Sequence, residues 1–366
     1  MKIGKSLLTL AGLSGLAVTS LSAVGCSNVD NQYFTVTNNK NLEVTFCDTG
    51  ASIYSIYYKG TCVTYQPEDK QEFTTTSKNS GKILGRTSGR IAQGKMNIDG
   101  KDYQFSTNEG KNTIHGGKKG LSSRKWKHQV KDSNQGKQII FTYLSPDKES
   151  GYPDKVEFNI TYTLFNDSDK IRIDMLATPS TNNKTPICLS GHTYWRLGGE
   201  MSKGIREHEL KIPASNLANS NKVDQIIEEG DKKITATENT EFDFRNFKQI
   251  GQDIDKVAQD DKVAAGYDHG WRFDDPAHEN IVELQNKETN IHLSVRTDID
   301  MVFIYANCHP IKDSVIKHYG IDQQYGGVSI EPMVYFYRDH YDSILHTHDN
   351  PFKNYIEYEL DNNIAE

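Results

Sequence analysis

From Tyr33 onward, apolar and polar residues alternate in short runs, and no long amphipathic stripe interrupts them. FTVTNN, NLEVTF, SIYSIYY, KQIIFTYL, KVEFNITYTLF, KIRIDMLAT, IVELQN, IHLSVRT, MVFIYANC, VSIEPMVYFY and YIEYEL are rich in Val, Ile, Tyr, Phe and Thr. Most are bounded by Gly, Asn, Asp or Ser. A period of two puts alternate side chains on opposite faces, so these runs predict strands with one face on a core and one toward solvent. That is the habit of antiparallel sheets. With no repeated glycine-rich turn between strand and helix, the pattern points to an all-β chain, a large antiparallel sandwich or barrel. Asn166-Asp167-Ser168-Asp169, between two strand-like runs, predicts a hairpin. Residues 219–262 are polar, charge-dense and weakly periodic around FDFRNFKQIG, and predict long surface connections with a short strand or helical turn. Without an internal repeat or linker, residues 33–366 are expected to form a single domain.

The first residues follow another rule. Lys2 and Lys5 precede an uncharged stretch, Ser6 to Gly25, that ends in LSAVGC. This is the layout of a signal peptide over residues 1–25, with residues 26–32 a short linker. Ala23, Val24 and Gly25 ahead of Cys26 resemble a bacterial lipobox, although leucine is usual where Ala23 stands. The expectation is an exported lipoprotein, held on the extracytoplasmic face through lipid on Cys26. Ordinary secretory cleavage at the small-x-small Ala23-x-Gly25, and a retained membrane span, stay open as alternatives.

Composition narrows the partners. Loss of Lys2 and Lys5 would move the net charge from -7 to -9, and an acidic chain without a basic track is a poor nucleic-acid binder. Beyond Cys26, the cysteines at 47, 62, 188 and 308 show no CxxC unit or zinc spacing. Neither a metal nor a cofactor is expected. A disulfide and free buried thiols both fit those spacings. Oligomeric state is left open.

Three histidines lie beside turn formers: His115 in NTIHGGKKG, His192 in SGHTYW, and His269 after Asp268 in GYDHGW. Any one alone reads more simply as a hydrogen-bonded structural histidine. Glu331 follows the strand-like GGVSI and precedes Pro332, so it is expected to emerge from a strand end into a turn; taken alone, a salt-bridged glutamate explains it.

Five ordered motifs change that weighing: GRTSGRIAQGKMNIDGKDYQF (Gly85 to Phe105), NEGKNTIHGGKKGLSSRKW (Asn108 to Trp126), SGHTYWRLGG (Ser190 to Gly199), GYDHGW (Gly266 to Trp271) and GGVSIEP (Gly326 to Pro332). Together they resemble the aldose 1-epimerase family over almost the whole mature chain. The resemblance implies a β-supersandwich with an open sugar cleft, no cofactor, and interconversion of the α and β anomers of a free aldohexose. Matched position by position, it implies Glu331 as general base and His192 as general acid, with Arg90, His115 and Asp268 binding the monosaccharide. Tyr194, Trp195 and Trp271 become candidate stacking faces, with a core or rim role the competing reading.

The departures bear on selectivity. Gly89 and Gly191 stand where the family commonly has asparagine, and Met333 where it has glutamine. Fewer side-chain amides imply looser discrimination between epimers. Three rival functions are weighed. A sugar-phosphate mutarotase would need clustered cations, with Arg196 and Arg338 the available donors. A carbohydrate-binding lipoprotein without turnover would have no need of both Glu331 and His192. A glycosidase would need paired carboxylates, and here the pair is His and Glu.

Overall fold

The computed structural model describes residues 31–77, 79–199, 203–218, 235–336 and 341–365. The leader, Cys26 and Arg338 lie outside the described residues. Each run picked out by alternation carries a strand, and the two strands flanking Asn166 to Asp169, Val156–Phe165 and Lys170–Pro179, pair antiparallel as a hairpin.

The strands assemble into a nine-stranded sheet, a six-stranded sheet, a four-stranded sheet and several two-stranded ribbons. In the nine-stranded sheet the last strand, Phe352–Asp361, inserts between Lys170–Pro179 and Ile291–Thr297 and joins the two halves of the chain. Along Val156–Phe165, the side chains of Val156, Phe158, Ile160, Tyr162 and Leu164 are buried while Glu157 faces out. One continuous core takes residues from this sheet, from the four-stranded sheet at Tyr33 to Cys62, and from one face of the six-stranded sheet. Contact between the nine- and six-stranded sheets is direct: the rings of Trp195 and Tyr358 lie 4.8 Å apart, edge to face.

The six-stranded sheet positions the chemistry. Its order is Tyr194–Trp195, Val328–Met333, Met301–Tyr305, Asp268–Arg272, Asn216–Leu217, Thr235–Ala236. Trp195, Val328, Ile330, Val302, Ile304 and Trp271 belong to the core. By the same period of two, Tyr194, Ser329, Glu331, Met333, Met301, Phe303, Tyr305 and Asp268 stand on the opposite face.

Two expectations are corrected. The strand Val328–Met333 runs through Glu331 and Pro332, so Glu331 is an interior strand residue and not a strand-end one. Along this strand the neighbour Tyr194–Trp195 reaches Val328 and Ser329 while Pro332 is paired with Val302 on the other side, so Pro332 lies beyond the end of that neighbour, the setting in which proline is tolerated. The stretch around FDFRNFKQIG is also more than a surface connection: Phe242, Phe244, Ile250, Ile254 and Val257 are buried, the last two on the helix Ile254–Asp260. Aromatic residues two apart pack there against Tyr267 and Trp271, a burial that net polarity conceals. Cys47, Cys62, Cys188 and Cys308 are free and buried.

Candidate active site

The outward face of the six-stranded sheet floors a cavity of about 380 Å³. Arg90, His115, His192, Tyr194, Asp268, Glu331 and Met333 all line it. Trp195 and Trp271 do not. Both are fully buried on the core face of their strands, one residue out of phase with Tyr194 and one register step from Gly270, so neither presents a stacking face. Trp271 instead donates its indole N–H to the Phe242 carbonyl at 3.0 Å. His269 faces the core as well, its Nδ1 accepting from the Asp268 N–H at 3.0 Å.

At the floor, His192 Nε2 lies 3.2 Å from Glu331 Oε1. Both residues are nearly sealed from solvent, at 5% and 2% exposure. His192 follows the two-residue strand Ser190–Gly191, paired with Ile83–Leu84. Its backbone N–H donates to the Lys82 carbonyl at 3.0 Å, and its carbonyl accepts from the Gly81 N–H at 2.8 Å. Ser329 Oγ, two residues before Glu331 on the same strand face, is 3.2 Å from His192 Nδ1. The imidazole is thus fixed at both nitrogens.

Burial sets the protonation of this pair. Desolvation pushes the Glu331 carboxyl up to about 8, Asp268 adding to the rise and Ser329 and Arg90 opposing it. Desolvation likewise pushes the His192 imidazole down to about 4. Each shift disfavours the charged form, so near neutrality the two groups hold one proton between them, within hydrogen-bond reach of both.

The upper wall comes from the ribbon Arg90–Ile91 with Thr113–Ile114. Arg90 donates through Nε and Nη2 to the two oxygens of Glu109 at 2.8 and 2.9 Å, and its Nη2 reaches Asp268 Oδ2 at 3.4 Å. A guanidinium held bidentate in this way is a rigid donor. The Gly89 N–H donates to His115 Nδ1 at 3.3 Å, which leaves Nε2 as the protonated nitrogen of the neutral ring. Desolvation, with the charges of His192 and Arg90, holds His115 well below its usual value.

One donor from each of His115, His192 and Glu331 lies within 4.8 Å of the others, so these three could hold a metal ion. The hydrogen bond into His115 Nδ1 works against that use, because a ring whose Nε2 carries its proton offers a donor and not a ligand.

Of the departures, Gly89 and Met333 are in the cavity: a Cβ at Gly89 would stand 3.5 Å from Met333 Sδ. Gly191 is not, for a Cβ there would meet the Tyr358 hydroxyl at 3.2 Å. The loosened selectivity expected from Gly191 therefore has no basis at that position. Arg196 is also away from the cavity, fully buried and donating to the Gly326 carbonyl, which removes one of the two cations a phosphate would need. Sequence reasoning missed Glu109, Asn79, Tyr305 and Ser329. Only Ser329 carried a signal, its spacing of two from Glu331.

Comparison with known proteins agrees with the geometry. The family model described as "Aldose 1-epimerase" matches residues 32–342. A galactose mutarotase from Bos taurus is 31% identical over 191 residues, 52% of this chain and 51% of that protein; the chain spans about half the length of such mammalian relatives. An aldose 1-epimerase from Haemophilus influenzae is 28% identical over 287 residues, 75% of this chain and 78% of the relative. The crystal structure of a galactose 1-epimerase from Lactobacillus acidophilus superposes with a TM-score of 0.78 at 20% identity, covering 93% of this chain and 97% of the other. The fold is thereby that of the galactose mutarotase-type β-sandwich.

Proposed function

The chain belongs to the aldose 1-epimerase family, and from that premise we propose that it interconverts the α and β anomers of a free aldohexose such as galactose or glucose. The observation that carries the proposal is the contact of 3.2 Å between His192 Nε2 and Glu331 Oε1 on the cavity floor. In a cyclic aldose the anomeric hydroxyl oxygen and the ring oxygen are both bonded to C1, so the groups serving them must be neighbours. One group takes the proton from the anomeric hydroxyl. The C1 to ring-oxygen bond then breaks toward the ring oxygen, which takes a proton from the other group, and C1 becomes an aldehyde carbon. After rotation about C1–C2 the same transfers run backward on the opposite face of the carbonyl. No net proton is gained or lost, which suits a pair sharing one proton. The shared proton rests on Glu331 in the free pair and passes to His192 across this contact before opening, so that Glu331 is assigned the base and His192 the acid in the opening step, and they exchange roles on reclosure.

Arg90 and His115 supply fixed N–H donors for charge developing on sugar oxygens, while Asp268 accepts from hydroxyls and orients the ring. Tyr194, Phe303 and Met333 offer the apolar surface that sugar C–H faces require. Arg90 already faces Glu109 and Asp268, so among the described residues the cavity offers no uncompensated arginine or lysine for a phosphate. Polarimetry of freshly dissolved α-D-galactose and α-D-glucose tests the reading. Catalysed decay of rotation supports it; saturable sugar binding with no acceleration would instead make the chain a binding protein.

We infer in addition that the chain is exported and anchored by lipid on Cys26. Support comes from Lys2 and Lys5, the uncharged stretch and the small residues before the cysteine. Cys26→Ala should release the protein or leave its precursor uncleaved; unchanged mass and membrane partition would defeat the inference.

A further inference from the structure

The four-stranded sheet turns Val36, Val44 and Ile56 to the core. Its other face carries a groove of about 330 Å³ lined by Tyr33, Tyr54, Tyr57, Glu43, Lys70 and Lys317. Both lysines lie over phenol rings. Lys70 Nζ is 4.7 Å from the centre of the Tyr33 ring, and Lys317 Nζ is 5.7 and 5.4 Å from those of Tyr54 and Tyr57. Although Glu43 lines the groove and Glu68 and Asp69 precede Lys70, neither ammonium group forms an ion pair among the described residues.

Lys317 belongs to a ribbon, Val315–Ile316 paired with Gly320–Ile321, which the Glu68 N–H ties to the body by donating to the Val315 carbonyl at 2.8 Å. Alternation buries Ile316 and turns Val315 and Lys317 outward. Val315 faces Ile321 across the ribbon, and the two are 41% and 61% exposed, Ile321 the most exposed large apolar side chain among the described residues. Surface apolar residues scattered singly need no explanation. A cross-strand apolar pair on the same ribbon as a lysine stacked over tyrosines is a different pattern. Tyrosine and lysine each join an apolar body to a polar tip, which suits them to the boundary between hydrocarbon and headgroups.

We propose that this face docks on the phospholipid surface to which Cys26 ties the chain, with Val315 and Ile321 entering among the headgroups and Lys70 and Lys317 meeting lipid phosphates. The proposal rests on the lipid-anchor reading of Cys26. Covalent geometry supports it: Asn31 is five residues beyond Cys26, at most ~18 Å of fully extended chain, and Tyr33 of the groove follows two residues later. Charge gives the docked orientation its reason. With a mature net charge of -9, most of the molecule is repelled by an anionic leaflet, so two ammonium groups free of carboxylate partners decide which face approaches it.

The test uses the lipidated chain in vesicles of equal parts phosphatidylcholine and phosphatidylglycerol, with bromine on the acyl chains near the headgroups. Flotation comes first; a chain that does not float overturns the Cys26 reading and this face with it. In the floating chain a tryptophan is introduced by Ile321→Trp or, on the nine-stranded sheet, by Leu144→Trp at a position 54% exposed. The native Trp126, Trp195 and Trp271 are buried and give a constant background. Emission from Ile321→Trp should shift to the blue and be quenched by bromine, and that from Leu144→Trp should do neither. Adding Lys70→Gln and Lys317→Gln to Ile321→Trp should lower the ratio of docked to undocked chains by roughly tenfold or more, because each lysine adds attraction at an anionic surface. Equal quenching at 321 and 144, or quenching at 321 that ignores the lysines, would show that the tether alone sets the distance and would overturn the docking face. A dimer that shields Ile321→Trp from iodide before vesicles are added would assign the face to a second copy, and would overturn it as well.

Discussion

Glu331 illustrates a residue whose function costs stability. Its carboxyl is held up to about 8 in the folded chain, against an ordinary value of 4.5. Below 4.5 both folded and unfolded forms carry the proton, and the group is neutral to stability. Between 4.5 and about 8 the folded chain retains a proton that the unfolded chain has lost, so stability declines as pH rises. Glu331→Gln removes that term. Thermal melts should show the variant more stable than the parent at pH 8 and equal to it at pH 4; a lower melting temperature at pH 8 would contradict desolvation as the cause of the shift.

At the scale of elements, the site depends on a few backbone positions that aim side chains from different strands. Gly116, with φ of +84°, follows His115, and a Cβ there would lie 1.8 Å from the Gly85 carbonyl oxygen. No L side chain fits that geometry. Gly116→Ala should destabilise the chain by about 2 kcal/mol, the scale of backbone strain, and raise KM by moving His115 relative to Arg90. Melting temperature and KM together check this; an unshifted KM in a folded variant would show that His115 does not bind the sugar.

The strands themselves were legible because alternation of apolar side chains is the signal that half-buried strands must carry, and Val156–Phe165 shows it plainly. The phase of that alternation was equally present. It separates Tyr194 from Trp195 and Glu331 from Ile330, and applying it would have removed both tryptophans from the sugar-contacting set. What no local pattern could give is the meeting of Arg90 with Glu109, 19 residues apart, which depends on how the ribbon folds over the sheet. Arg90, His115, His192, Asp268 and Glu331 were named through family motifs, and the fold brings all five to one cavity.

For the whole molecule, sandwich and cavity act together, because the core that buries one face of the six-stranded sheet makes the other a low-dielectric floor. A pair sharing one proton works only between its two titrations. Below about 4 the pair takes up a second proton and has no acceptor left; above about 8 it gives up the shared proton and has no donor left. The pH profile of kcat/KM, which reports the free protein, should therefore be bell-shaped with limbs near those values, assigned to the pair and not to either residue alone. A rate still rising above pH 8 would place the chemistry elsewhere. Proton transfer by Glu331 itself is decided by the anomeric exchange of galactose in Glu331→Gln, followed by NMR on folded protein. The variant should lose roughly 10²-fold or more in kcat with KM little changed. Turnover within about threefold of the parent, far less than a general base contributes, would contradict the assignment.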